Sequence, residues 1–488
     1  MSSPERSGRS TSEQAGQPTL RRNAVGLGGA VIMSAALMGP AVSIFFNPQV
    51  AAGHAGAATP LVFAASLAVS LIVAVGVMEM ARELPSAGAF YTYVVRAIGP
   101  RTGFVTGGLI FVAYALLVPA ELALIGNFTA EILAGYGIHI HWAIISLAFG
   151  VLMVTLSLRG ITGSLRTALI LFAAEVAVIV LLSAIVLASG GANGLTTEPF
   201  NPAASPDGLS GIALGMVFGI LSFVGFEAAA TLGEEVRRPR RNVPLGIFLS
   251  LLFVGVIYVF CTYAEMIGFG TDRVGALAED AAPFTTLART YAPWLELFVG
   301  LAGVSSIFAV IMNSNNGIVR ILYAMGREGL LPRRLSQVHP VHRTPTAAIW
   351  AQAVVAAVFT FGVGFLAGPF ETYVYLGAML TLAIIPVYVL TNVACVRFFA
   401  RRADRRVLRH IVLPVAGILA LAIPVYGQVY PAPDPPLRYF PYVVLAFIVV
   451  TAVAATVIGR NRPVLLSRAG AVLAPDEPVV REESAGGV

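Results

Sequence analysis

The chain has 488 residues, 57% of them hydrophobic and only 11% charged, with a formal net charge of +6 and a mean hydropathy of +0.83. A water-soluble globule carries about 25% charged residues, so this excess of apolar surface excludes an ordinary soluble domain and calls for a lipid solvent. All 31 basic side chains are arginine, which excludes a Walker-type phosphate loop and Schiff-base chemistry on this chain, because both need a lysine.

Residues 1–23 are polar and lack periodicity, and they read as a disordered tail. A helix that crosses the hydrocarbon core presents about 20 mostly apolar residues. Such runs lie near 24–46, 60–82, 103–133, 142–158, 165–188, 209–232, 244–268, 293–325, 345–363, 372–398, 411–428 and 440–459, which predicts an all-α membrane protein with twelve transmembrane helices. The first run is too long for a secretion signal and lacks a small-residue cleavage site, so it is expected to stay in the mature protein. The connection 189–208 is rich in Gly, Pro, Ser and Asn, as a plain external loop or a substrate gate would be. Residues 460–488 read as a second tail.

Arginine placement tests this layout, because cytoplasmic loops of membrane proteins are enriched in positive charge. With the N-terminus inside, 28 of the 31 arginines fall on one side, and only Arg273, Arg289 and Arg438 fall on the other. A wrong helix count mixes the two populations. The split therefore predicts a multi-pass inner (cytoplasmic) membrane protein with both termini in the cytoplasm. Because the arginines are spread between apolar runs, no basic domain for a nucleic-acid partner is expected. Cys261 and Cys395 lie far apart in apolar runs, without metal-ligand or disulfide spacing. No nucleophile, metal or cofactor constellation appears, so neither an enzyme nor a metal or cofactor site is expected. A channel would need repeated polar rings, and the apolar runs hold isolated glutamates instead.

Four stretches carry a family resemblance. The first is Glu79-Met-Ala-Arg82-Glu-Leu-Pro85-Ser-Ala-Gly88-Ala-Phe-Tyr91-Thr-Tyr93, followed by Gly99-Pro100 and Gly103. The second is Phe223-Val-Gly225-Phe226-Glu227 with Glu234-Glu235, Pro239, Asn242 and Pro244. The third is Arg320-Ile-Leu-Tyr323-Ala-Met-Gly326-Arg327-Glu-Gly329-Leu-Leu-Pro332 with Thr344-Pro345, and the fourth runs from Tyr388 through Asn392 to Arg397. In this order they resemble the loop after helix 2, helix 6 and its loop, the end of helix 8 and the end of helix 10 of the amino acid-polyamine-organocation superfamily of permeases.

That resemblance implies a LeuT-type five-plus-five inverted repeat, with helices 1–5 in residues 24–188 and helices 6–10 in 209–398. Helices 11 and 12, in 411–459, are then peripheral. Helices 1 and 6 are expected to be broken at mid-membrane, where free NH groups favour a carboxylate and free carbonyls an ammonium. Members often carry a Gly-Ser-Gly type break in helix 1. This chain has Met38-Gly39-Pro40-Ala41 there, and Pro40 offers no NH, a feature that resembles relatives on the amine and polyamine side.

The resemblance thus implies a secondary active transporter importing an amino acid, with a polyamine, another organic amine or amine exchange as alternatives. The expected partners are that small-molecule substrate, a co-transported proton and the lipid bilayer. Met38, Gly39, Ala41, Phe223, Gly225 and Phe226 are the candidate substrate contacts at the breaks, with Tyr114 of helix 3 closing over the substrate. For each of these aromatics an ordinary packing role is the alternative.

Ionisable groups inside a membrane need a reason to be there, and Glu121, Glu175, Glu227 and Glu265 are the candidates. Glu227 either faces a substrate ammonium or, protonated, braces the broken backbone. Glu175 lies on helix 5, where some sodium-independent relatives place a lysine that this chain lacks. Taking a carboxyl out of water penalises its charged form, which makes Glu175 the candidate for proton coupling, with a permanently protonated glutamate bonding a neighbouring carbonyl as the alternative. Ser305 and Ser306 offer oxygen to sodium, or pack between helices.

Overall fold

The computed structural model describes residues 25–86, 88–160, 165–233, 235–327, 329, 331–342 and 344–461. Residues 1–23 and 462–488 of the expected tails lie outside these residues, as do Ala87 of the first stretch, Glu234 of the second, and Glu328 and Leu330 of the third. The first apolar run forms two helices, α1 (Leu27–Leu37) and α2 (Pro40–Ala55), separated by Met38 and Gly39. Gly39 has φ +56°, and a Cβ there would lie 2.6 Å from Val42 Cγ1 and 2.7 Å from Val310 Cγ2. Both the turn and the close approach therefore require glycine. Pro40 then starts α2, a position where its missing NH leaves no helical bond unmade.

The chain continues through α3 (Thr59–Glu83), the short amphipathic α4 (Ala89–Ala97), α5 (Pro100–Gly135), α6 (Trp142–Leu158) and α7 (Leu165–Ala188). The 189–208 connection contains two 3-10 turns, Glu198–Phe200 and Pro202–Ala204. The next apolar run is again divided. Helix α8 (Gly208–Phe223) ends in extended Val224 and Gly225 at φ +110°, and a single turn, α9 (Ala228–Thr231), follows.

Thereafter come α10 (Pro239–Phe269), α11 (Val274–Glu279), α12 (Pro283–Tyr291), α13 (Glu296–Arg327), α14 (Thr346–Ala367) and α15 (Pro369–Phe399). A π-helical turn, Leu408–Val412, leads into α16 (Leu413–Ala420) and α17 (Ala422–Gly427), and α18 (Phe440–Asn461) follows. The described residues are all-α apart from one isolated bridge, in which Val25 and Val236 pair. Val25 N donates to Glu235 O at 3.1 Å, and Arg237 N to Val25 O at 2.8 Å, so the entry to α1 is tied to the chain leaving α9.

Among the described residues, ten stretches are long and apolar enough to cross a membrane. Large apolar side chains stand exposed on α6 (Ile144, Val151), α14 (Val358, Leu366) and α18 (Val450, Val453). Lipid accepts such a surface and water does not. Inside this shell, α5 packs against α13 and α15, α2 against α8, and α3 against α10, which brings the two interruptions to the centre of the molecule.

Candidate functional site

The interruptions touch each other. A Cβ on Gly225 would lie 3.0 Å from the backbone carbonyl carbon of Leu37, so the last turn of α1 rests on the turn after α8. Ser34 bridges them: its Oγ donates to Phe226 O at 2.8 Å and accepts from Ala229 N at 2.9 Å. Tyr258 of α10 holds both from the other side, its hydroxyl lying 3.0 Å from Met38 O and 3.1 Å from Ser222 O. Backbone groups freed by an interruption and buried in an apolar body must find such partners.

At the first interruption the amides are met as follows. Gly39 N donates to Ala36 O at 3.3 Å and Ser43 N to Gly39 O at 2.9 Å. Ala41 N donates to Glu175 Oε1 at 2.5 Å, and Val42 N to Ser306 Oγ at 3.3 Å. The Ser306 hydroxyl in turn donates to Glu175 Oε1 at 2.6 Å. A carboxylate from α7 therefore sits at the N-terminus of α2, where the helix dipole and open NH groups favour negative charge. Ser306, considered above for sodium, has its oxygen committed to this arrangement.

At the second interruption Val224 N donates to Leu221 O, Phe226 N to Phe223 O and Ala228 N to Gly225 O. Gly225 N donates to Glu227 Oε2 at 3.1 Å. Glu227 also accepts from Tyr114 at 2.6 Å and from Tyr388 at 3.3 Å. The carboxyl thereby closes the Gly225 turn, and two tyrosines hold it in place.

A cavity of about 20 Å³ lies between these interruptions, α5, α13 and α15. Its polar lining is Ser43, Asn47, Glu121 and Tyr373, and Leu37, Met38, Val42, Leu221, Val224 and Val310 are among its apolar walls. This space suits about one water molecule, whereas ligand pockets measure about 300–1,000 Å³, so this conformation is closed around its centre. Tyr373 donates to Asn47 Oδ1 and Asn47 Nδ2 to Ser222 Oγ, both at 2.7 Å. Glu121, 3% exposed, has an Oε2 without a hydrogen-bond partner.

Of the predicted contacts, Met38 alone lines this cavity. Gly39 and Ala41 form the turn behind it, and Phe223, Gly225, Phe226, Glu227 and Tyr114 form the second turn and its support. Tyr258 and Tyr373 are uncharged polar residues in apolar runs, a weaker sequence signal than a carboxylate because such residues are common in membrane helices, and Asn47 lies just past the run predicted to end at 46.

Comparison with known proteins gives the class first: this is a polytopic membrane transporter and not an enzyme. The amino acid permease family model matches residues 26–454. The chain belongs to that family, within the amino acid-polyamine-organocation superfamily. The branched-chain amino acid permease BcaP of Bacillus subtilis (strain 168) is 26% identical over 342 residues, covering 64% of this chain and 70% of that protein. The methylthioribose transporter of the same organism is 25% identical over 324 residues, covering 63% and 68%. The low-affinity putrescine importer PlaP of Escherichia coli (strain K12) is 24% identical over 401 residues, covering 80% and 85%.

Proposed function

We propose that the protein is a secondary active transporter that imports an amino acid or organic amine across the cytoplasmic membrane by alternating access, driven by protons. The substrate site is the cavity between the two interruptions. Met38 lines one wall with the Gly39-Ala41 turn behind it, and Leu221 and Val224 line the other, backed by the turn of Phe223, Gly225, Phe226 and Glu227 with its support Tyr114. The relatives are named for a branched-chain amino acid, a methylthioribose and a diamine, so kinship alone leaves the cargo open.

Twelve crossings fit the helices. The stretch Leu27–Glu83 has 57 residues and holds α1/α2 as one interrupted span and α3 as another, so it is counted as two. Helix α6, at 17 residues, is about 25 Å long and is counted as one slightly short span. Pairing α1/α2 with α8/α9 as corresponding interrupted spans gives the five-plus-five repeat over 24–188 and 209–398, with 411–459 peripheral. The arginine distribution supports cytoplasmic termini.

The observation that carries the coupling is the contact of Glu175 with Ala41 N and Ser306 Oγ. An ionised Glu175 ties α2 to α7 and α13. A proton on Glu175 removes the charge that these donors point at and loosens the tie, so loading and release of that proton alternate with movement of α2. In proteoliposomes the parent should concentrate a labelled amino acid or amine when the outside is acidified without sodium. Glu175→Gln should exchange that solute and fail to concentrate it. Uptake that requires sodium and ignores the pH gradient would refute proton coupling.

A further inference from the structure

Most donors around the closed cavity are already in use. Pro40 has no NH; the amides of Ala41 and Val42 are bound to Glu175 and Ser306, and that of Gly225 to Glu227. The Ser43 hydroxyl donates to Met38 O at 2.8 Å, the Tyr373 hydroxyl to Asn47 and the Asn47 amide to Ser222. A ligand carboxylate needs donors. The seat where helix geometry would receive one, the N-terminus of α2, is filled by the protein's own Glu175.

Acceptors are arranged differently. Glu121 lines the cavity and is buried, with Oε2 unpartnered, and none of the described residues lining the cavity is basic. A buried carboxyl facing a cavity without a cation is costly unless something supplies donors or positive charge. An ammonium supplies both, with N–H donors that suit Glu121 Oε2.

We infer that the cargo is a small alkylammonium, a primary amine or diamine without a carboxylate, that Glu121 is its counter-ion, and that Glu175 occupies the place a substrate carboxylate would take. This rests on the transporter reading above and narrows its cargo to one class. Glu121 then determines specificity, whereas Glu175 holds α2 without touching the ammonium.

The test is binding and counterflow with the purified full chain in proteoliposomes, using 1,4-diaminobutane, butylamine and leucine as probes. The two amines should bind and exchange, with leucine at least tenfold weaker. Glu121→Gln, equal in shape and unable to carry charge, should weaken both amines at least 30-fold, while Glu121→Asp should recover part of the loss. That recovery, with an unchanged gel-filtration profile, separates a lost counter-ion from a misfolded variant. Leucine binding as tightly as the amines would overturn the inference and leave the transporter reading standing. So would amine affinity unchanged in Glu121→Gln. Failure of any amino acid or amine to bind or exchange would refute both.

Discussion

The brace around Glu227 gives a quantitative test of how the second interruption is held. Tyr114 reaches Oε1 at 2.6 Å and Tyr388 reaches Oε2 at 3.3 Å. The first distance is that of a short O–H···O bond, and the second lies beyond normal ones. Tyr114→Phe removes the short bond and nothing else of the ring, and leaving a buried acceptor unsatisfied costs about 1–3 kcal/mol. Opening of the turn should become easier by about 2 kcal/mol, a factor of about 30 at 1.4 kcal/mol per tenfold. Tyr388→Phe loses the weaker contact and keeps its ring against Phe226, at 5.3 Å between centroids. It should change opening by less than about fivefold, or about 1 kcal/mol. Hydrogen exchange of peptides covering 224–231, followed by mass spectrometry, reads local opening directly. Faster exchange should be confined to that segment and absent from α18. If Tyr114→Phe leaves exchange unchanged, or Tyr388→Phe accelerates it more, the brace as described is wrong.

Two further outcomes follow from the same geometry. Gly225→Val places a branched side chain at φ +110° against the Leu37 backbone, a strain of about 1–3 kcal/mol, and should yield folded protein that no longer binds ligand; parent-like affinity would move the site elsewhere. Glu227→Gln should weaken a monoamine and a diamine by the same factor in equilibrium binding, because the carboxyl serves the turn, whereas a selective loss for the diamine would put Glu227 on the ligand.

Much of this molecule is written locally. Long apolar runs, arginines gathered between alternate runs and the stretch Glu79–Tyr93 identify a multi-pass permease of this family before any coordinates. Gly39-Pro40 and Val224-Gly225 mark the two interruptions, because a left-handed residue and a missing NH are properties of a few neighbouring atoms. The limits of the helices were less legible. The run predicted to end at 46 continues as α2 to Ala55, since Asn47, Gln49 and His54 lower the hydropathy of that segment without ending its helix.

The polar pairing was decided only by tertiary structure. Glu175 and Ala41 are 134 positions apart, and Ser34 and Ala229 are 195 apart. The sequence marks Glu121, Glu175, Glu227 and Glu265 alike as carboxyls in apolar runs, yet packing gives them different surroundings. Glu175 meets a helix N-terminus, Glu227 closes a turn, Glu121 faces the cavity, and Glu265 is buried with neither oxygen partnered. In a soluble helix the apolar stripe would mark the inward face in advance. Lipid and protein interior are equally apolar, so these helices carry no such stripe, and only their packing settles which glutamate meets which amide.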